Sequence, residues 1–329
     1  MTLGLELVIL SIAVLIMFTA SRALCESLEI ACDRWSISES VAGATVLSMG
    51  GSIPEIIVNV ISTTRAHSQS SSARLESLSI GFGAILGSGL IAFLLIPGIC
   101  LTWSPIPLRL NTQPLLRDCS FYLSMLALIV IGTDYGVSSR RSALVLLVYI
   151  GYLTFLFNTS YRPKMEVELF LITKTPPNPL PRAALALAAI AVASMSIMAV
   201  VNHWVALLGN ETSGFFGLCL VALAAEIPDA VNAFSAASLG HGEMALAGCL
   251  GAQITNMALG LAGPLLALSL SSGANVNLKS PVTSAAAKLL MGNVLVLSTL
   301  VSLSPSKGVG LTLIFWYVLC VAGLYWTLN

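Results

Sequence analysis

The chain has 329 residues, 57% of them hydrophobic and only 9% charged, with 15 basic and 15 acidic side chains and a mean hydropathy of +0.92. So little charge excludes an ordinary soluble domain, in which about a quarter of residues are charged, and a formal charge of zero gives no reason to expect nucleic acid as a partner. The composition is that of a polytopic all-α protein whose main partner is a lipid bilayer.

A bilayer core takes about 20 apolar residues per helix, and on that ruler ten spans are predicted in chain order. The first five run over 4–24, 38–63, 78–101, 116–134 and 142–160, and the second five over 182–203, 213–238, 243–270, 283–303 and 308–328. The first contains an apolar run from Leu7 to Thr19 with small residues after it, but no basic segment precedes it, so it reads as a span and not as a cleaved leader. Between the two sets, the basic and proline-rich stretch 161–181 cannot continue a helix and is predicted to be a short cytoplasmic linker. The chain thus divides into a first repeat, 1–160, the linker, 161–181, and a second repeat, 182–329. Five spans per repeat means that the two are inserted upside down relative to one another.

The second and seventh spans carry the chemistry. Gly50-Gly51-Ser52-Ile53-Pro54-Glu55 interrupts one, and Ala224-Ala225-Glu226-Ile227-Pro228-Asp229 interrupts the other. Laying 41–62 on 215–236 without a gap puts Gly43 on Gly217, Pro54 on Pro228 and Glu55 on Asp229. A second small-residue stretch follows each, 81–88 in one half and 245–252 in the other, so the repeat is two helices deep.

Carboxylates inside a membrane are costly and mark an ion path, and paired interrupted segments point to a transport site at the midplane. A hard cation takes six to eight oxygen ligands. Glu55 and Asp229 offer charged oxygens, Thr45, Ser48 and Ser52 offer hydroxyls on neighbouring turns, and each proline frees a carbonyl. The competing reading, kinks whose carboxylates are neutralised by a basic side chain, finds no Lys or Arg near either motif within its span. Glu226 lies three positions before Asp229 and shares its face if the helix runs through, as a third ligand or a proton site.

The remaining polar residues read as ordinary. Lys288 is expected to snorkel toward the interface, and His67, His203 and His241 to lie at the surface. The seven cysteines lack metal-ligand spacing and read as small membrane residues. Placing the N-terminus outside makes Arg34, Arg109, Arg117, the linker and Lys307 cytoplasmic, against Arg65, Arg74, Arg140 and Arg141. Asn210-Glu211-Thr212 would then face outside or a lumen and Asn158-Thr159-Ser160 the cytoplasm, so glycan at Asn158 would reverse this orientation.

Val41-Ala42-Gly43-Ala44-Thr45 leading into Gly51-Ser52-Ile53-Pro54-Glu55 resembles the first alpha-repeat of the cation/calcium exchanger superfamily, nearest to its potassium-dependent sodium/calcium exchangers. Ile227-Pro228-Asp229 with Gly242-Glu243-Met244-Ala245 and the stretch 251–256 resembles the second. The resemblance implies a secondary antiporter, not an enzyme, that moves calcium against sodium by alternating access in a plasma or organelle membrane, with no covalently bound cofactor. It implies that Glu55 and Asp229 are the principal calcium-binding carboxylates, that Ser52 is a ligand hydroxyl and that Ser88 belongs to the family's Gly-Ser pattern.

Three departures stand out. Ala224-Ala225-Glu226 replaces a Gly-Ser type sequence, Ala92 replaces an Asn, and Gly251-Ala252-Gln253-Ile254-Thr255-Asn256 replaces Gly-Ser-Asn-Ile-Phe-Asp. The last carboxylate of that family motif is associated with potassium, so Asn256 predicts weak or absent potassium dependence, while Glu226 restores the lost charge nearby. The alternatives are a proton-coupled divalent-cation antiporter on the same fold and a transport-inactive homologue serving as a membrane interaction subunit.

Overall fold

The computed structural model describes residues 3–35, 38–48, 52, 55–56, 59–60, 63–64, 71–108, 110–133, 137–159, 179–208, 222–272, 281–303 and 305–326. Among these the chain is almost entirely helical. Helix α1 spans Leu3–Trp35, and α2, Glu39–Ala42, continues directly into a wide π turn, π1, over Gly43–Leu47. Helix α3, Ser71–Leu90, passes through π2, Ile91–Leu95, into α4, Ile96–Trp103. Helices α5, Thr112–Thr133, and α6, Ser139–Thr159, follow.

In the second half α7 covers Pro179–Leu208, and α8, Ala222–Ala225, meets α9, Ile227–Ser238, at Glu226. Helix α10, Gly242–Thr255, runs through π3, Asn256–Ala262, into α11, Gly263–Ser272; α12, Pro281–Leu303, and α13, Lys307–Trp326, complete the set. Seven helical stretches among the described residues are long and apolar enough to cross a bilayer, among them 82–103 and 242–271. The predicted spans 38–63 and 213–238 are described only in part, and most of the predicted linker lies outside the described residues.

Two boundaries differ from the sequence reading. Helix α1 runs some three turns past its apolar segment, to Trp35, and Glu26 in that extension pairs with Arg182 of α7 at 2.5 Å. Helix α7 begins at Pro179, inside the predicted linker, with Pro181 in its first turn. Proline is tolerated there because the N–H groups of the first turn have no helical partner to lose.

Helix α10 is the axis of the molecule. Every residue in it except Glu243 is buried, and it packs against π1, α9, α5 and α2. Its small residues permit this. A side-chain carbon at Gly251 would lie 2.6 Å from the Cα and carbonyl oxygen of Ala44, and one at Gly43 would lie 2.5 Å from the carbonyl oxygen of Met244. The two glycines therefore let π1 and α10 cross backbone to backbone, the close approach that small residues give membrane helices. This contact joins the first half of the chain to the second.

Candidate cation site

Helix α8 does not simply stop at Glu226. The Glu226 N–H donates to the Ala222 carbonyl at 3.0 Å and its own carbonyl accepts from the Ala230 N–H at 2.9 Å, so the chain keeps helical phase through the junction. Pro228 has no N–H, which deprives the Ala224 carbonyl of its donor one turn earlier. Asp229 stands in the first turn of α9, where the positive end of the helix dipole favours a negative charge. Glu226 and Asp229 thus emerge from one face, as their spacing predicts.

Glu55 comes from the other half of the chain to meet them. One carboxylate oxygen from each of Glu55, Glu226 and Asp229 falls within 4.8 Å of the other two, and all three residues are buried. Both oxygens of Glu55, Oε2 of Glu226 and Oδ2 of Asp229 have no hydrogen-bond partner among the described residues. Two unit charges 4.8 Å apart repel by about 3 kcal/mol at an effective dielectric of about 20, so three such pairs call for a positive charge between them. Three oxygens no more than 4.8 Å apart all lie within about 2.8 Å of a common point, that distance divided by √3, close to the roughly 2.3–2.6 Å of calcium coordination.

The predicted hydroxyls belong to π1, the residues that follow it and α3. Ser52 is buried, and its hydroxyl lies 3.0 Å from the Ser48 carbonyl and 3.3 Å from the carbonyl of Ala252 on α10. Ser48, also buried, donates to the Ala44 and Thr45 carbonyls, both at 2.9 Å, and Thr45 donates to the Val41 carbonyl at 2.6 Å. A hydroxyl whose proton goes to a helix carbonyl keeps its lone pairs for a cation. Thr45 also lines a cavity of about 380 Å³ with Trp35, Tyr149, Phe157 and Thr255. Ser88 lies in α3, and Asn256 opens π3 with both its amide atoms buried and unpartnered among the described residues. The glycine pair and Pro54 of the first motif lie outside the described residues.

Three polar side chains near these positions were not anticipated from the sequence. Gln253 donates to Glu226 Oε1 at 2.7 Å and accepts from the Ser88 hydroxyl at 3.1 Å. Asn59 donates to the Glu55 carbonyl at 2.8 Å, holding the turn that carries the carboxylate. Asn232, one turn beyond Asp229, is buried with an unpartnered amide among the described residues. Its spacing of three from Asp229 was the available signal.

Elsewhere Lys288 is on the exposed side of α12. His203 is 42% exposed, 3.4 Å from Glu6. His241 departs from its predicted surface position: its side chain is only 14% exposed and lies 3.4 Å from Glu39, where the turn before α10 tucks against α2. Six of the seven cysteines are free and buried, as expected of small membrane residues, and Cys219 and His67 lie outside the described residues.

The model of the sodium/calcium exchanger protein family matches residues 5–158 and 182–326. The sodium/potassium/calcium exchanger Nckx30C of Drosophila melanogaster is 33% identical over 151 residues, 44% of this chain and 16% of the relative. The human sodium/potassium/calcium exchanger 2 is likewise 33% identical over 151 residues, 44% of this chain and 21% of the relative. The matched segment therefore spans about a fifth or less of these relatives. A structure of the sodium-calcium exchanger NCX_Mj soaked with Na+ and Sr2+ superposes with a TM-score of 0.75 at 20% identity, covering 98% of this chain and 99% of that one. Its counterpart soaked without Na+ or Ca2+ gives 0.73 at 20% identity, covering 98% and 100%. The overall fold is shared.

Proposed function

Since the chain belongs to the sodium/calcium exchanger protein family, within the cation/calcium exchanger superfamily, and is a multi-pass membrane protein, we propose that it is a secondary antiporter exchanging calcium for sodium. The observation that carries this reading is the cluster of Glu55, Glu226 and Asp229, built from both halves of the chain with its oxygens close enough together to share one cation. Sodium and calcium ions are nearly equal in radius. One set of oxygens can therefore take either, and fixed negative charge that one calcium balances can instead be balanced by more than one sodium, which is the basis of exchange. Thr45, Ser48, Ser52 and Asn256 complete the proposed ligand set around the carboxylates, and Ser88 supports it from behind through Gln253.

We further propose two inverted five-helix repeats, 1–160 and 182–329 joined by a linker, that rock about this site in alternating access. The matched π turns support that arrangement. Gly81–Ser88 aligns with Ala245–Ala252, and in each half a π turn follows, Ile91–Leu95 in one and Asn256–Ala262 in the other, so Ala92 and Asn256 hold equivalent places. Such turns widen a helix and free its carbonyls, and they concentrate at functional sites. With Asn256 in place of a carboxylate, transport is expected to need little or no potassium.

Radiolabelled calcium uptake into proteoliposomes under an outward sodium gradient tests the proposal. Uptake should require sodium, proceed equally with and without potassium, and vanish in Asp229→Ala. Uptake driven by a pH gradient alone would overturn sodium coupling, and no uptake under either gradient would leave the inactive-homologue reading in its place.

A further inference from the structure

Glu226 is distinguished from the other two carboxylates by having one oxygen tied down. Helix α3 presents the Ser88 hydroxyl, α10 presents Gln253, and the junction of α8 and α9 presents Glu226, so that a buried chain of side chains runs from one half of the molecule to the other. Its direction follows from chemistry. An ionised carboxylate only accepts hydrogen bonds, so the amide must turn its NH2 group toward Glu226 and its carbonyl toward Ser88, which has a proton to give. Both ends of Gln253 are thereby used, and the side chain is fully buried.

We propose that Gln253 is a positioning residue: it holds Glu226 by Oε1 so that this carboxylate joins Glu55 and Asp229 as a ligand through a single oxygen, and so sets the calcium affinity of the site. The proposal rests on the reading of the three-carboxylate cluster as the transported-cation site. Glu226 Oε2 has no partner among the described residues and is free for the cation, whereas the anchored oxygen is not. Without the anchor, the carboxylate would have both oxygens unpartnered and could swing away from the cation or close on it with two. Either change alters the number and reach of the oxygens the ion meets. Ser88 acts one step further back, by fixing the amide.

Calorimetric titration of calcium into the purified full chain tests this, with Gln253→Met, Ser88→Ala, Glu226→Ser and the Gln253→Met/Glu226→Ser double variant. Methionine nearly matches glutamine in shape and cannot donate. Loss of a hydrogen bond to a charged group should raise the calcium Kd about tenfold in Gln253→Met, with a smaller rise in Ser88→Ala. In the Glu226→Ser background the second substitution should change nothing further. A role confined to packing would carry its effect undiminished into the double variant, and that result would overturn the proposal while leaving the site intact. An unchanged Kd in Gln253→Met would also overturn it, as would an unchanged Kd in Ser88→Ala, which alters no packing of α10 and decides the matter if Gln253→Met does not fold. A native chain that binds no calcium would overturn the site reading itself and this inference with it.

Discussion

Three carboxylates close enough to share one cation repel one another when none is there. The cluster should therefore weigh against the cation-free fold and favour the loaded one. Replacing Glu55 by Gln removes two of the three repulsive pairs, so at pH 8 in chelator the melting temperature of Glu55→Gln should exceed that of the native chain. Calcium at a hundred times its Kd should stabilise the native chain by about 2.7 kcal/mol through linkage and leave Glu55→Gln unmoved. A thermal-shift titration reads both effects, and equal calcium stabilisation of the two chains would contradict the assignment. The carboxylates themselves were legible in the sequence, because a charge in an apolar span without a basic neighbour is too costly to keep there unless it binds something. The anchor on Glu226 was not. Gln253 lies 27 positions from its partner and Ser88 another 165 from Gln253, and an uncharged amide in a small-residue helix gives no sign of which distant group it will meet.

At the scale of elements, the site depends on the crossing of π1 and α10. A methyl group at Gly251 would sit 2.6 Å from the Ala44 backbone, which cannot swing aside as a side chain can, whereas one at Gly292 on α12 has nothing within 4 Å. Gly251→Ala should therefore cost about 2 kcal/mol of stability and weaken calcium binding as Ser52 and Glu55 are pushed from their partners. Gly292→Ala should stay within about 0.5 kcal/mol of the native chain. Melting curves with and without calcium compare them, and equal tolerance of both would contradict this account of the crossing. Most long helices were readable from hydropathy. The three-turn overrun of α1 was not, since the Glu26–Arg182 pair that accompanies it joins residues 156 positions apart. The π turns were equally hidden, because they depend on which carbonyls a neighbouring helix leaves room for.

For the whole molecule, the two halves meet over a broad interface that includes α1 on α7 and α4 on α13, and part of it lies at the carboxylates. Glu55 meets Glu226 and Asp229, Ser52 reaches the Ala252 carbonyl, Ser88 reaches Gln253, and Gly43 and Gly251 bring the backbones together. In the proposed alternating access, a movement of one half against the other would disturb these contacts, and ion binding would be coupled to access through them. The proposed internal repeat rests on the gapless alignment of the two motifs. Equilibrium binding of radiolabelled calcium to the purified native chain and to Asp229→Asn, with sodium or potassium as competitor, decides whether the carboxylate cluster is the exchange site. The native chain should bind calcium that sodium displaces with a Hill coefficient above one and potassium does not, and Asp229→Asn should bind it about a hundredfold more weakly, as expected when a buried charged ligand is lost. Equal binding by the two chains, or calcium that sodium cannot displace, would contradict that assignment.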